Sequence, residues 1–176
     1  YIADNFDVLR IIDSANSLEY SFFEGETYYS QSEFKKASFV YSAGLKNLRK
    51  SKAKTDPYLK RTFDSLFKSL EKDRNPKTST LLFAFNMYLY FYPRNKKSNE
   101  IYQRVLAIHK KNNDEKKMFT VLKRYNSVFP KMIKVQKDFY KQVLNSYIDK
   151  KDIGSLLNLQ RLVNKRFLGF TKSESL

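Results

Sequence analysis

The stretch GETYYSQSEFKKASFVYSAGL, residues 25–45, reads as the turn of a helical hairpin. Gly25 stands in a first helix, with Tyr28 and Tyr29 a turn further on. Ser30, Gln31 and Ser32 form a polar break. A second helix then carries Ala37, Tyr41 and Gly44 at helical spacing. Two helices approach this closely only where small residues leave room, and large aromatics fill the space to either side.

Working outward, the same reading extends over the chain. Asp4 is expected to cap a short N-terminal helix carrying Phe6, Leu9 and Ile12. The hairpin helices are expected near 18–29 and 33–48. A basic linker follows, then a helix opened by Asp56 and Pro57, with Phe63, Leu66, Phe67 and Leu70 on one stripe. Asn75-Pro76 ends it, and an apolar helix runs from about Thr78 to Tyr92, stopped by Pro93. Its apolar run, Leu81 to Tyr92, is well short of the roughly 20 residues that span a bilayer. Ser98 is expected to cap the next helix, Asn112 to Asp114 to form a turn, and Lys150-Lys151 to join the last hairpin, 131–149 and 152–167. No stretch alternates as a strand does. The reading is therefore all-α, with about four antiparallel hairpins centred near residues 32, 75, 113 and 150. A single helical domain is expected over 1–168, with a frayed tail over 169–176.

Composition narrows the function. The 176 residues lack Cys and hold only four Gly and four Pro, which favours long helices and excludes a disulfide framework. The formal net charge is +16, distributed unevenly. Residues 1–33 hold seven acids and only Arg10 as a base, so the charge of everything beyond is +22. Such asymmetry suggests an interaction surface of one sign. Lys supplies 25 of the 34 bases. That bias, with many Asn, Tyr and Phe, resembles the composition of AT-rich bacteria such as spirochaetes. The chain opens at Tyr1 rather than Met, which suggests a mature or trimmed product.

The first hairpin resembles a tetratricopeptide (TPR) repeat. Gly25, Tyr28, Ala37, Tyr41 and Gly44 meet five of that family's packing positions at its spacing, while Ser21 and Glu24 stand where it has larger apolar residues. The third hairpin, with Tyr102, Val105, Leu106, Met118, Leu122 and Tyr125, is a looser match, and Leu106 and Met118 are large for their places. The resemblance implies a right-handed TPR-like stack with an N-terminal capping helix. It also implies a groove, lined by the first helix of each hairpin, that takes a peptide or a helix of another protein. Carried over by position, that groove shows Glu19, Phe22, Glu26 and Tyr29, then Gln103, Lys110 and Lys111, then Lys141 and Asn145.

Lys131, Lys134 and Lys137 continue to Lys141 as a basic face, opposite Met132, Val135, Phe139 and Val143. A solvated face, an acidic partner, an anionic membrane surface and phosphates all fit it. Nucleic acid is the chief rival class, since bases and aromatics can track phosphates and stack on bases. The bases, however, are mostly Lys and are scattered, whereas base-edge readout favours Arg. His109 is the single histidine and no Cys joins it, so a zinc site is not expected and a His-based triad has only this one candidate. No Gly-rich phosphate loop is present, and no metal or cofactor is expected. The function expected is a non-catalytic scaffold for protein–protein interaction in a bacterial cell envelope, at the periplasm or outer membrane. Surface integrity, division or host persistence and virulence are the roles in view. The alternative is a cytoplasmic basic helical domain that binds nucleic acid or anionic membrane.

Overall fold

Three turns of this chain close with the same bonds. In the computed structural model, residues 17–48 and 56–166 are described, apart from the side chains of 133–135 and 162–166. Ser32, Asn113 and Lys151 each adopt a left-handed backbone, with φ of 61°, 52° and 53°. The next residue is an acid each time, and its N–H donates back five residues: Glu33 to Tyr28, Asp114 to His109, Asp152 to Tyr147 (2.9–3.0 Å). The preceding N–H groups close the inner bond, Ser32 to Tyr29, Asn113 to Lys110 and Lys151 to Ile148 (3.0 Å each). This is the Schellman arrangement, which satisfies the last carbonyls of a helix. The acid then opens the following helix. Asp114 accepts from the Lys117 N–H (3.2 Å) and Asp152 from the Ser155 N–H (3.1 Å). Glu33 instead pairs with Lys36 (2.5 Å).

These turns link helices in an all-α chain. The described residues form α1 Ser17–Ser30, α2 Phe34–Asn47, α3 Tyr58–Lys72, α4 Thr78–Phe91, α5 Lys96–Lys111, α6 Glu115–Val128, α7 Ile133–Asp149 and α8 Ile153–Arg166, with no strand among them. The capping helix expected from Asp4 and the tail over 169–176 lie outside the described residues. No described helix is long and apolar enough to cross a membrane.

The chain divides into two compact units, residues 1–98 and 99–176. In the first, α1 packs on α2 and α3, α2 on α3 and α4, and α3 on α4. Its core is Leu18, Phe22, Ala37, Tyr41, Leu45, Phe63, Leu66, Phe85 and Leu89 with their neighbours. The α1–α2 contact depends on two glycines. A Cβ on Gly25 would stand 2.2 Å from Cε1 of Tyr41, and one on Gly44 would stand 2.5 Å from Cβ of Ser21. Tyr41 and Ser21 are both fully buried. Ser21, where a larger residue is expected, is small because Gly44 leaves no room for more.

In the second unit, α6 packs on α7 and α7 on α8, around Tyr102, Val105, Leu106, Leu122, Tyr125, Val143 and Leu159. Counted from the left-handed turn residue, Tyr102 and Tyr125 occupy the places of Ser21 and Gly44. Here two large rings stack, with centroids 5.0 Å apart and planes 13° from parallel. Leu106 and Leu122 likewise occupy the places of Gly25 and Tyr41, and both are fully buried. Leu106 and Met118, large for a TPR pattern, therefore have room, because this hairpin is spaced by bulk rather than by glycine.

Two local expectations are corrected. Ser98 does not cap α5: the Asn95 side chain accepts the Lys97 N–H (3.0 Å), and the buried Ser98 hydroxyl donates to the Tyr92 carbonyl. The last hairpin begins at Ile133, not Lys131, because Pro130 and Lys131 form a turn. Met132, expected inward, is accordingly exposed.

Gly25→Ala tests the close contact. The methyl adds about 1 kcal/mol of helix propensity, but forcing it onto a buried ring costs roughly 1–3 kcal/mol. Urea denaturation is expected to show net destabilisation. A variant as stable as the parent, or more so, would mean that α1 and α2 do not meet at Gly25.

Candidate partner-binding surfaces

The expected groove begins on α1, and in the first unit α3 packs beside it. Glu19 accepts the Tyr58 hydroxyl (2.7 Å), and Glu26 accepts the Tyr41 hydroxyl (2.6 Å). Burial first, and then the Glu26 carboxylate, push the Tyr41 hydroxyl far above its ordinary value. The Tyr58 hydroxyl is also raised, chiefly by its bond to Glu19. These acids therefore hold phenols in their neutral, donating form.

Phe22, expected to face a partner, is only 4% exposed. It lies under the Tyr58 ring at 5.5 Å and the Arg61 guanidinium at 4.6 Å. Its neighbour Phe23 is the exposed ring, at 42%, and meets Tyr58 edge-on at 5.6 Å. The α1–α3 face thus combines Phe23, Tyr58, Arg61 and Glu19: Phe23 meets the Tyr58 ring, which has the Arg61 guanidinium 5.5 Å from its centre and the Glu19 carboxylate on its hydroxyl. Tyr29 packs edge-on against Phe34 (5.2 Å) and is half-buried. Tyr28 lies beneath the Lys36 ammonium, 5.4 Å from the ring centre.

In the second unit, Lys110 and Asn145 line one cleft of about 390 Å³, with Glu115, Met118, Gln142 and Lys150. Across it Lys150 donates to Glu115 (2.7 Å), and that bond lowers the Glu115 carboxyl below its usual range. Lys111 is exposed but does not line this cleft, and Gln103 is half-buried and lines no part of it. Lys141 and Lys137 are half-buried and engaged in contacts of their own. Lys131 sits in the turn before α7, and the Lys134 side chain lies outside the described residues. The described members of the expected basic face therefore do not share one exposed helical stripe.

No group of His, Cys, Asp or Glu among the described residues is placed to hold a metal ion. His109 is buried, and its carbonyl closes the α5 turn. Comparison of the chain with family models, with curated proteins and with solved structures finds no match.

His109 gives this unit a pH signature. Its pKa lies below the ordinary imidazole value, first because burial penalises the cation; Asp114 opposes this and Lys117 adds to it. As pH falls below about 6.5, the unfolded chain binds a proton before the folded one, so stability falls. Carboxylates titrate lower, below about 4.5. Urea midpoints are expected to drop between pH 7.5 and 5.5, and to drop less in His109→Gln. An equal drop in both would assign the effect elsewhere.

Proposed function

We propose that this protein is a TPR-like helical-repeat scaffold that binds another protein and does no catalysis. The observation that carries this reading is the repeated hairpin. One left-handed turn followed by an acid occurs at Ser32, Asn113 and Lys151. Ser21–Gly44 and Tyr102–Tyr125 fall at one register around it. In the first unit the helices also pack on next-but-one neighbours, as α1 does on α3 and α2 on α4, which supports reading the hairpins as units of a repeat protein. Such stacks present extended binding faces.

The α1–α3 face supports the choice of a protein partner. Phe23 exposes an aromatic ring against Tyr58, which carries Arg61 and Glu19, and aromatic and Arg side chains supply most hot spots at protein interfaces. The non-catalytic reading rests on how the polar groups are used. Glu19 and Glu26 hold tyrosines, and Asp114 and Asp152 cap helices. The cell-envelope setting rests on composition alone, and fractionation of the native cell tests it.

Affinity capture on the full chain, with nuclease treatment, tests the reading. A protein partner is expected to survive nuclease, and Phe23→Ser is expected to weaken its binding at least tenfold while leaving the melting temperature within a few degrees. Recovery of nucleic acid alone, or of anionic lipid alone, would overturn the scaffold reading. Undiminished binding by Phe23→Ser would remove the α1–α3 face from it.

A further inference from the structure

The opposite edge of the first hairpin carries a second surface. α2 and α4 pack together with α3 behind them, and between them runs a cleft of about 390 Å³. On α2 its wall is Lys35, Phe39 and Ser42; on α4 it is Thr80 and Phe83, with Lys77 at the N-cap, and Leu70 and Asp73 close it from the α3 side. Each wall starts with a base at the helix N-terminus and reaches an aromatic ring about one to two turns later. Phe39 is 73% exposed, more than any other large apolar side chain among the described residues. The Ser42 hydroxyl is buried and has no partner.

Among the described residues these bases have no ion-pair partner: Lys35 and Lys77 are exposed, and Lys72 and Arg74 stand at the adjoining turn. Of the two acids nearby, Glu33 is taken by Lys36, and Asp73, which lines the cleft, accepts the Asn75 N–H (3.0 Å) and keeps its charge, so Lys35, Lys77, Lys72 and Arg74 leave the bases in excess. The first turn of α4 holds no acid and its N-cap is Lys77, so that positive helix end adds to the field, whereas the α2 end carries Glu33 at its N-cap.

We propose that the α2–α4 cleft docks an acidic amphipathic segment of another protein. The segment's apolar side chains sit on Phe39 and Phe83, and its carboxylates sit on Lys35 and Lys77. Charge complementarity chooses this occupant. The uncompensated charge at the cleft is positive, which opposes a basic segment and leaves a purely apolar one with nothing to pair these lysines. The geometry adds a spacing rule. Lys35 and Phe39 are four residues apart on one helix face, about 6 Å along the axis. The occupant must therefore carry its carboxylates about one helical turn from its apolar anchor, as residues i and i+3 or i+4 of a bound helix do. This docking does not depend on the α1–α3 face.

A photo-crosslinker tests it in the cell of origin. p-Benzoylphenylalanine is placed at position 39 of the full chain and, as a control of similar exposure, at Ile153 (69% exposed). Crosslinked peptides are then sequenced by mass spectrometry. The expected result is a peptide of a different protein, captured from position 39 and not from 153, with Asp or Glu one turn from apolar residues. Lys35→Glu combined with Lys77→Glu is expected to cut its yield at least tenfold, with an unchanged melting temperature because both side chains are exposed. The proposal is overturned by a captured peptide from a second copy of this chain, by one without acidic residues, by a nucleic-acid or lipid adduct, or by no yield at 39 above that at 153. It is equally overturned if the charge reversal leaves capture unchanged.

Discussion

The absence of a side chain at Gly25 is the constraint on which the first unit depends. It lets the fully buried Tyr41 ring lie against the α1 backbone. From there the Tyr41 hydroxyl reaches Glu26, one residue along α1, and the ring lies 6.4 Å from Phe22. Phe22 is thereby committed inward, under Tyr58 and Arg61 of α3. Phe23, rotated about 100° around the same helix, is left toward solvent. The contact at Gly25 and the cover from α3 together make Phe22 core and leave Phe23 at the surface. At Gly44 the same device brings α2 onto Ser21. Close-packed interiors leave little freedom to relax such contacts.

The third hairpin reaches the same register by a different route. Where the first has Ser21 and Gly44 it has two stacked tyrosines, and where the first has Gly25 and Tyr41 it has two buried leucines. The helices keep their pairing while the material between them changes from backbone contact to rings and aliphatic chains. Tyr125 also uses its hydroxyl, which donates to Asn99. The turn that precedes the second helix is the invariant part. Its geometry comes from backbone bonds, so Ser, Asn and Lys can each take the left-handed place, at a cost of roughly 1–2 kcal/mol for a residue with a Cβ.

Much of this architecture is visible in the residues, and the failures have physical causes. Helices announced by apolar periodicity fall within about two residues of their places, as α3 and α7 do. The glycines at 25 and 44 mark a close contact, because few other roles suit glycine inside a helix. The left-handed turns at Ser32 and Lys151 leave no mark of their own, since neither residue favours that conformation. Phe22 and Phe23 could not be told apart by α1 alone, because what buries Phe22 comes from α3, across the linker. Ser98 resembles a cap by type, but the Asn95 side chain reaches the helix end first. The basic edge of the α2–α4 cleft is split between Lys35 and Lys77, and only folding brings them to one site. Charge counted along the chain therefore finds the acidic beginning and misses where the free cations gather.

The central claim is that the α1 backbone at Gly25 touches the Tyr41 ring, and a nuclear Overhauser spectrum reads that contact directly. With the chain isotope-labelled, strong cross-peaks are expected between the Gly25 Hα protons and the Hε protons of Tyr41, since a Cβ there would lie 2.2 Å from Cε1. Their absence, with both spin systems assigned, would contradict the account: the hairpin would then be spaced by something other than its glycine.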